Sequence, residues 1–196
     1  MKTIGKRKWA FLWMALFVSS AVFAESYDVN VASSKVSWLG KKVTGQHHGS
    51  INVKEGTLTV DDDEITGGTV LIDMQSIENE DLTNEEFNKK LVGHLKSDDF
   101  FGVESYPTAR LVLTDVKKSG DEYTFTGDLT IKGITHPVTF KGTSESDAGT
   151  VKVNGTMTID RSKYNIKYGS SSFFDNLGDK MIYDEFTLDF ELVAEK

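Results

Sequence analysis

From residue 26 onward the chain alternates apolar and polar residues with a period of two, and that period leaves few choices of fold. In Asp121–Gly133 (DEYTFTGDLTIKG), Tyr123, Phe125, Leu129 and Ile131 share one parity, while Thr124, Thr126, Asp128 and Thr130 share the other. Residues two apart in a strand share a face, so this segment is a strand with one apolar and one wetted side. The same pattern pairs Val36 with Trp38 and Val138 with Phe140. It also runs through Val70, Ile72 and Met74, through Val151, Val153, Met157 and Ile159, and through Phe186, Leu188, Phe190 and Leu192. Ala109, Leu111 and Leu113 share a face of a further strand that Val112 and Val116 blur. Ile51–Val53 and Leu58–Val60 read as one strand bent at Gly56.

Turn-forming runs separate these segments: Asp61-Asp62-Asp63, Ser119-Gly120-Asp121 and Asp147-Ala148-Gly149. Connections this short make neighbouring strands antiparallel. Eight or nine such strands form one sheet with a single apolar face, which is buried by closing the sheet or by splitting it into a sandwich. Gly56, Gly127, Gly142 and Gly155 stand inside strands, where they mark bends or bulges and favour closure. The expectation is an all-β antiparallel barrel of about eight strands with one or two short helices. Thr83 and Glu86 form a capping box, Phe87 and Leu91 follow one turn apart, and Gly93 ends the helix. A second turn is expected from Ser97, with Phe100 and Phe101 plugging one barrel end.

Lys2–Lys8 is basic, Trp9–Val18 holds ten apolar residues without a charge, and Ser19–Ala24 ends in small residues. This is the layout of a secretory signal cleaved after Ala24, and the apolar run is short of the roughly 20 residues a spanning helix needs. Residues 1–24 are therefore read as a signal peptide, and 25–196 as one domain that is periplasmic or secreted. The chain of 196 residues has 22 basic and 30 acidic residues, a net charge of −8; removing the four basic residues of the signal leaves 18 against 30, or −12. So acidic a domain repels phosphate backbones and anionic headgroups, which argues against nucleic acid and against electrostatic docking on membranes. The absence of Cys excludes disulfides, a thiol nucleophile, Cys-ligated zinc, iron–sulfur clusters and an acylated N-terminal Cys.

Little in the sequence points to catalysis. His47 and His48 are adjacent, so in a strand they face opposite ways; with His94 and His136 they form no metal-ligand spacing. Asp61-Asp62-Asp63-Glu64 lacks calcium-loop spacing and reads as a solvated turn. Ser170-Ser171-Ser172 lacks a nucleophile elbow, and no phosphate loop is present. No metal and no cofactor are expected. What remains is the apolar face, because the interior of an eight-stranded barrel is either just filled by side chains or holds one ligand. Parity places Trp38, Ile51, Ile72, Leu111, Phe125, Leu129, Ile131, Phe140, Met157, Phe186 and Phe190 inside, with Phe100, Phe101 and a polar contact from His48 near an end.

Two segments carry a resemblance. His94–Phe101 (HLKSDDFF), followed by Tyr106-Pro107, resembles the HL-x-S-x-x-FF…YP segment of the YceI-like family of periplasmic polyisoprenoid-binding proteins. Gly127–Val138 (GDLTIKGITHPV) is similar to that family's G-x-L-T-I-x-G-x-T-x-P-V strand pair. Weaker matches are His48-x-Ser50, Asp73–Ile77 and Arg161–Tyr164; Lys163-Tyr164-Asn165 departs from the acidic residue, aromatic and Gly of many members. The resemblance implies a lipocalin-like barrel whose apolar tunnel holds a polyisoprenoid lipid or isoprenoid quinone as ligand. Transient membrane contact and a homodimer are compatible with such a carrier. Two alternatives stand beside it: an enzyme acting on a lipid headgroup with His48 or His94 as acid–base, and a filled-core module that binds another exported protein.

Overall fold

The computed structural model describes residues 24–196; residues 1–23, which carry most of the expected signal peptide, lie outside the described residues. The strands are β1 (Glu25–Val29), β2 (Lys35–Lys42), β3 (Gly45–Ser50), β4 (Asn52–Asp61), β5 (Glu64–Asp73), β6 (Thr108–Ser119), β7 (Glu122–Ile131), β8 (Ile134–Asp147), β9 (Thr150–Asp160) and β10 (Ile182–Glu195). They pair antiparallel in one sheet that closes on itself through β1 and β10. β10 runs along β9 on one side, and its other edge is shared, first by β2 and then by β1. β1 and β2 are thus two halves of one interrupted strand, and β3 and β4 are halves of the next, because β3 pairs with β2 and β4 with β1. Counted so, the barrel has eight strands.

The interruptions keep their backbone groups paired. At the β1–β2 break, Asn30 donates its N–H to the Val193 carbonyl (2.7 Å) and Ser34 Oγ accepts from the Val193 N–H (3.1 Å). At the β3–β4 break, Ile51 N–H donates to the Val36 carbonyl (3.0 Å). Three tight hairpins have both central residues at positive φ: Asp62-Asp63, Lys132-Gly133 and Ala148-Gly149. That is the type I′ signature, whose twist matches the flanking strands.

Two register shifts explain where the alternation blurs. A bulge between Leu113 and Asp115 switches the inward parity of β6, so Leu111 and Leu113 face in before it and Val116, opposite Phe125, faces in after it. In β4 the bend expected at Gly56 is a bulge between Val53 and Glu55. The strand glycines answer a different need, close approach. Gly142 and Gly155 are opposite each other. A Cβ on Gly155 would sit 2.6 Å from the Lys141 carbonyl oxygen and 2.7 Å from the Phe190 ring; one on Gly142 would sit 2.5 Å from the Asn154 carbonyl oxygen.

One α-helix, α1 (Glu85–Lys96), stands in the long β5–β6 connection. Its cap is Asn84, whose side chain accepts the Phe87 N–H, rather than Thr83; the helix also continues through Gly93 to Lys96. Ser97 closes it, and tight turns follow in place of a second helical turn. The two barrel ends differ. One carries the hairpins after β4, β6 and β8, together with Glu25 and Lys196, whose side chains pair at 2.7 Å. The other carries the β2–β3 and β7–β8 turns, residues 74–107 with α1, and residues 161–181. The hairpin end is filled: Tyr27, Tyr123, Val151 and Ala194 are buried there. Tyr123 stacks on Phe125 (5.5 Å), Phe125 on Phe140 (5.3 Å), and Phe140 meets Phe190 edge-on (5.7 Å). Gly155→Ala should cost about 1–3 kcal/mol through overpacking against backbone and ring, read as a drop in thermal or urea midpoint.

Candidate functional site

Above that filled floor the barrel interior holds two cavities. The lower has about 90 Å³ of enclosed room and the upper about 130 Å³; with the open space at their mouths included, the figures are about 780 and 860 Å³. Both are lined almost wholly by apolar atoms. They abut at a waist whose residues belong to both walls: Ile72, Ala109, Leu129 and Leu188. Leu111, Phe125, Phe140, Met157 and Phe190 line the lower cavity. Trp38, Ile51, Ile131 and Phe186 line the upper one, with Phe100 and Phe101 at its end. His48 lines neither; it lies exposed opposite Leu39 on the ladder, so the polar contact expected from it is not placed in the bore. Small residues leave room. Gly40 borders the upper cavity, and a Cβ there would meet nothing within 4 Å.

The upper cavity reaches the surface at a seam. β2 and β10 pair at Ile182↔Lys42 and again at Phe186↔Gly40, with a register break between. Tyr183 and Lys41, both exposed, stand at this break and also line the cavity. The break leaves carbonyls of β10 without ladder partners, and Arg161 supplies them. It is 2% exposed, yet its guanidinium donates to the carbonyls of Tyr183 (3.1 Å), Ile166 (2.9 Å) and Ile182 (3.0 Å). Asp184 lies 3.3 Å from Nη2, and the Phe100 ring centre 5.5 Å from the guanidinium carbon. Burial pushes the Arg161 pKa down from its ordinary value, while Asp184 and Asp160 oppose the shift. Arg161 therefore fastens both ends of the 165–181 loop over the cavity. Sequence periodicity gives no sign of this, since an Arg just past a strand end looks like any solvated basic residue. Gly40, Lys41 and Tyr183 are likewise cavity residues that the alternation does not single out.

Residues 78–81 form a strap along β3. Glu78 and Glu80 donate backbone N–H groups to the carbonyls of Ser50 and His48 (both 3.0 Å). Asp81 accepts from the His48 N–H (2.9 Å) and Asn79 (2.5 Å) and pairs with His47 (2.8 Å). Asn88 of α1 donates to the Asn79 carbonyl (2.8 Å), so the helix holds the strap from the other side. Burial alone would raise the Asp81 pKa, but the His48 N–H, His47 and Asn79 together bring it from 3.8 to about 2.

The remaining histidines serve packing. His94 meets the rings of Tyr168 (4.3 Å) and Phe100 (5.7 Å) edge-on; the His136 ring shares a hydrogen bond with the Lys163 carbonyl (3.0 Å). Ser170 is buried and Ser172 Oγ donates to Asp184 (2.7 Å), so the serine run ties the loop to β10. Among the described residues no group of three His, Asp or Glu side chains is placed to hold a metal ion.

An eight-stranded ring with an apolar bore and an HL-x-S-x-x-FF segment at its open end is matched by a family model, the YceI-like domain, over residues 27–194. The chain belongs to the YceI-like family. UPF0312 protein plu2095 of Photorhabdus laumondii is 31% identical over 129 residues, 63% of this chain and 63% of that protein. Protein YceI of Escherichia coli O157:H7 is 36% identical over 105 residues, 54% of this chain and 48% of that one. The chain thus spans between about half and 63% of these curated relatives. Among solved structures, BcnA of Burkholderia cenocepacia superposes with a TM-score of 0.63 at 27% identity, covering 85% of this chain and 99% of BcnA. A polyisoprenoid binding domain from Saccharophagus degradans, implicated in plant cell wall breakdown, gives 0.61 at 15% identity over 86% and 97%, a likeness of fold alone.

Arg161→Met leaves one buried and two part-buried carbonyls, together with Asp184, without their partner and should cost about 3–5 kcal/mol; Arg161→Lys should not restore it, because one ammonium does not reproduce the guanidinium fork. Urea midpoints of the three proteins check this. Asp81, with its folded pKa below its unfolded one, contributes stability that is complete above pH 3.8 and is lost as pH falls toward about 2. Asp81→Asn should therefore show a shallower loss of stability across that interval than the wild-type chain, measured by urea titration at each pH.

Proposed function

We propose that this protein is an exported, non-enzymatic carrier that holds the tail of a polyisoprenoid lipid or isoprenoid quinone in its bore. The observation that carries the reading is the pair of apolar cavities stacked end to end above a sealed floor. The lower cavity is walled almost wholly by apolar atoms that cannot compensate a buried headgroup, so the tail enters first and the polar end stays toward the seam. The likeness in fold to a polyisoprenoid binding domain supports the choice of ligand class, and the basic and apolar N-terminal segment supports export. The bound lipid is the only ligand the reading requires, and no cofactor enters it.

Energetics favour carrying over trapping. Each five-carbon unit leaving water is worth about 4 kcal/mol at about 0.8 per methylene, so a long tail would soon exceed the practical ceiling of about 18–21 kcal/mol. The relevant reference is a membrane, whose acyl chains are as apolar as the bore, and exchange between the two is close to neutral. The filled-core alternative meets an interior that is open. The headgroup-enzyme alternative meets an exposed His48 and a His94 packed between aromatic rings.

Organic extraction of natively purified protein followed by mass spectrometry should recover prenyl lipid. A Cβ at Gly40 meets nothing within 4 Å, so Gly40→Phe starts a ring from open space at the edge of the upper cavity. That variant should fold with an unchanged or higher thermal midpoint and lose most of the extracted lipid. Equal lipid from Gly40→Phe and the wild-type chain, or none from either after mild purification, would sink the proposal.

A further inference from the structure

The chain's negative charge is spread unevenly, and its distribution follows the barrel axis. The turns of the sealed end, residues 61–64, 119–122 and 147–150, hold seven acidic residues and no basic one. At the open end, residues 40–46 and 162–183 hold five basic residues and two acidic ones; Arg161 beside them is buried and paired with Asp184. The helical side of that end, residues 77–107, is again acidic, with eight acidic residues against three basic. A net excess of positive charge among these stretches is therefore found in the sector of the open rim that contains the seam.

The same sector exposes large apolar side chains. Phe173 and Phe174 are 42% and 50% exposed, Tyr183 49%, and Val43 46%. Contacts join them into one surface. Val43 N–H donates to the Met181 carbonyl (3.1 Å), Ile182 N–H to the Gly169 carbonyl (2.8 Å), and Ser172 to Asp184 beside Tyr183. Lys167 stands over the Phe173 ring at 5.2 Å. Lys180 shares a surface groove with Lys132, Lys167 and Phe174, and Asp98 and Asp99 also line it. Aromatic rings with lysines at their edges match the interface of a bilayer, where rings sit at headgroup depth and ammonium groups meet lipid phosphate.

We propose that this rim sector docks the protein on an anionic phospholipid bilayer, with the seam at Tyr183 and Lys41 facing the lipid. The acidic residues of α1 and the acidic floor then point away, while Asp98 and Asp99 mark the edge of the docking groove, so the barrel approaches tilted and in one orientation. The inference deepens the carrier reading and rests on it for its purpose, while the docking geometry is independent of it.

The test is flotation of the mature chain with vesicles of phosphatidylglycerol and phosphatidylcholine, against vesicles of phosphatidylcholine alone. Binding should require the anionic lipid and vanish near 1 M salt, where charge acts over only about 3 Å. The double variant Lys167→Gln/Lys180→Gln should bind about 30-fold more weakly, from about 1 kcal/mol per lysine. Phe173→Ser/Phe174→Ser should lose about tenfold or more, with unchanged circular dichroism because both rings are exposed. No binding to anionic vesicles, equal binding to neutral ones, or wild-type binding by either variant overturns the proposal. Extracted prenyl lipid reads the carrier function separately: empty protein that still docks defeats that function alone, and loaded protein that ignores anionic vesicles defeats docking alone.

Discussion

Everything in this molecule depends on how the outer edge of β10 is covered. A barrel is stable only when no strand is left with unpaired backbone, and here the closing strand is longer than either neighbour available to it. Two short strands, β2 and β1, divide that edge between them, and a turn stitched by Asn30 and Ser34 fills the join. Where the division fails, beside Tyr183, a buried guanidinium takes the part of a missing strand. Arg161 is thus explained by backbone satisfaction, without any ligand.

Closure at eight strands fixes a radius at which side chains can just fill the interior. Whether they do is decided locally. Near the hairpin end the inward positions hold Tyr27, Tyr123, Phe125 and Phe140, and the space closes. Farther up, Gly40, Gly68 and Ala109 occupy inward positions, and atoms that would fill the bore are absent. The fold therefore forgoes some dispersion contacts along the bore, although Ile51, Met74, Ile77, Ile131 and Ile159 of the upper wall remain buried in the same core as the aromatic floor.

Much of this was legible beforehand. The barrel, its direction of pairing and the eleven inward-facing residues from Trp38 to Phe190 follow from parity, because a half-buried strand cannot slip by one residue without exposing its apolar side. The limits have physical causes. Parity fails across a bulge, so Val116 reads as an outlier although it faces inward. β3, with glycines, a glutamine and two histidines, has no alternation to read. Helix ends are decided by which polar side chain reaches the free N–H groups, and the cap is Asn84, one residue beyond Thr83 of the capping box. His48 is turned outward by the ladder with Leu39, which no local pattern encodes. Net charge misleads in the same way, since a total of −8 says nothing about a basic sector gathered from two distant stretches.

The register break between Ile182 and Phe186 bears on kinetics. Prising apart any intact pair of strands wide enough for a hydrocarbon would sever several ladder bonds and would run at the slow tempo of local unfolding. At the break those bonds were never made on that side, and Arg161 anchors the opposite flank. Parting the wall there would therefore sever fewer ladder bonds than parting an intact stretch of β10, and the exposed side chains of Tyr183 and Lys41 stand where it would begin.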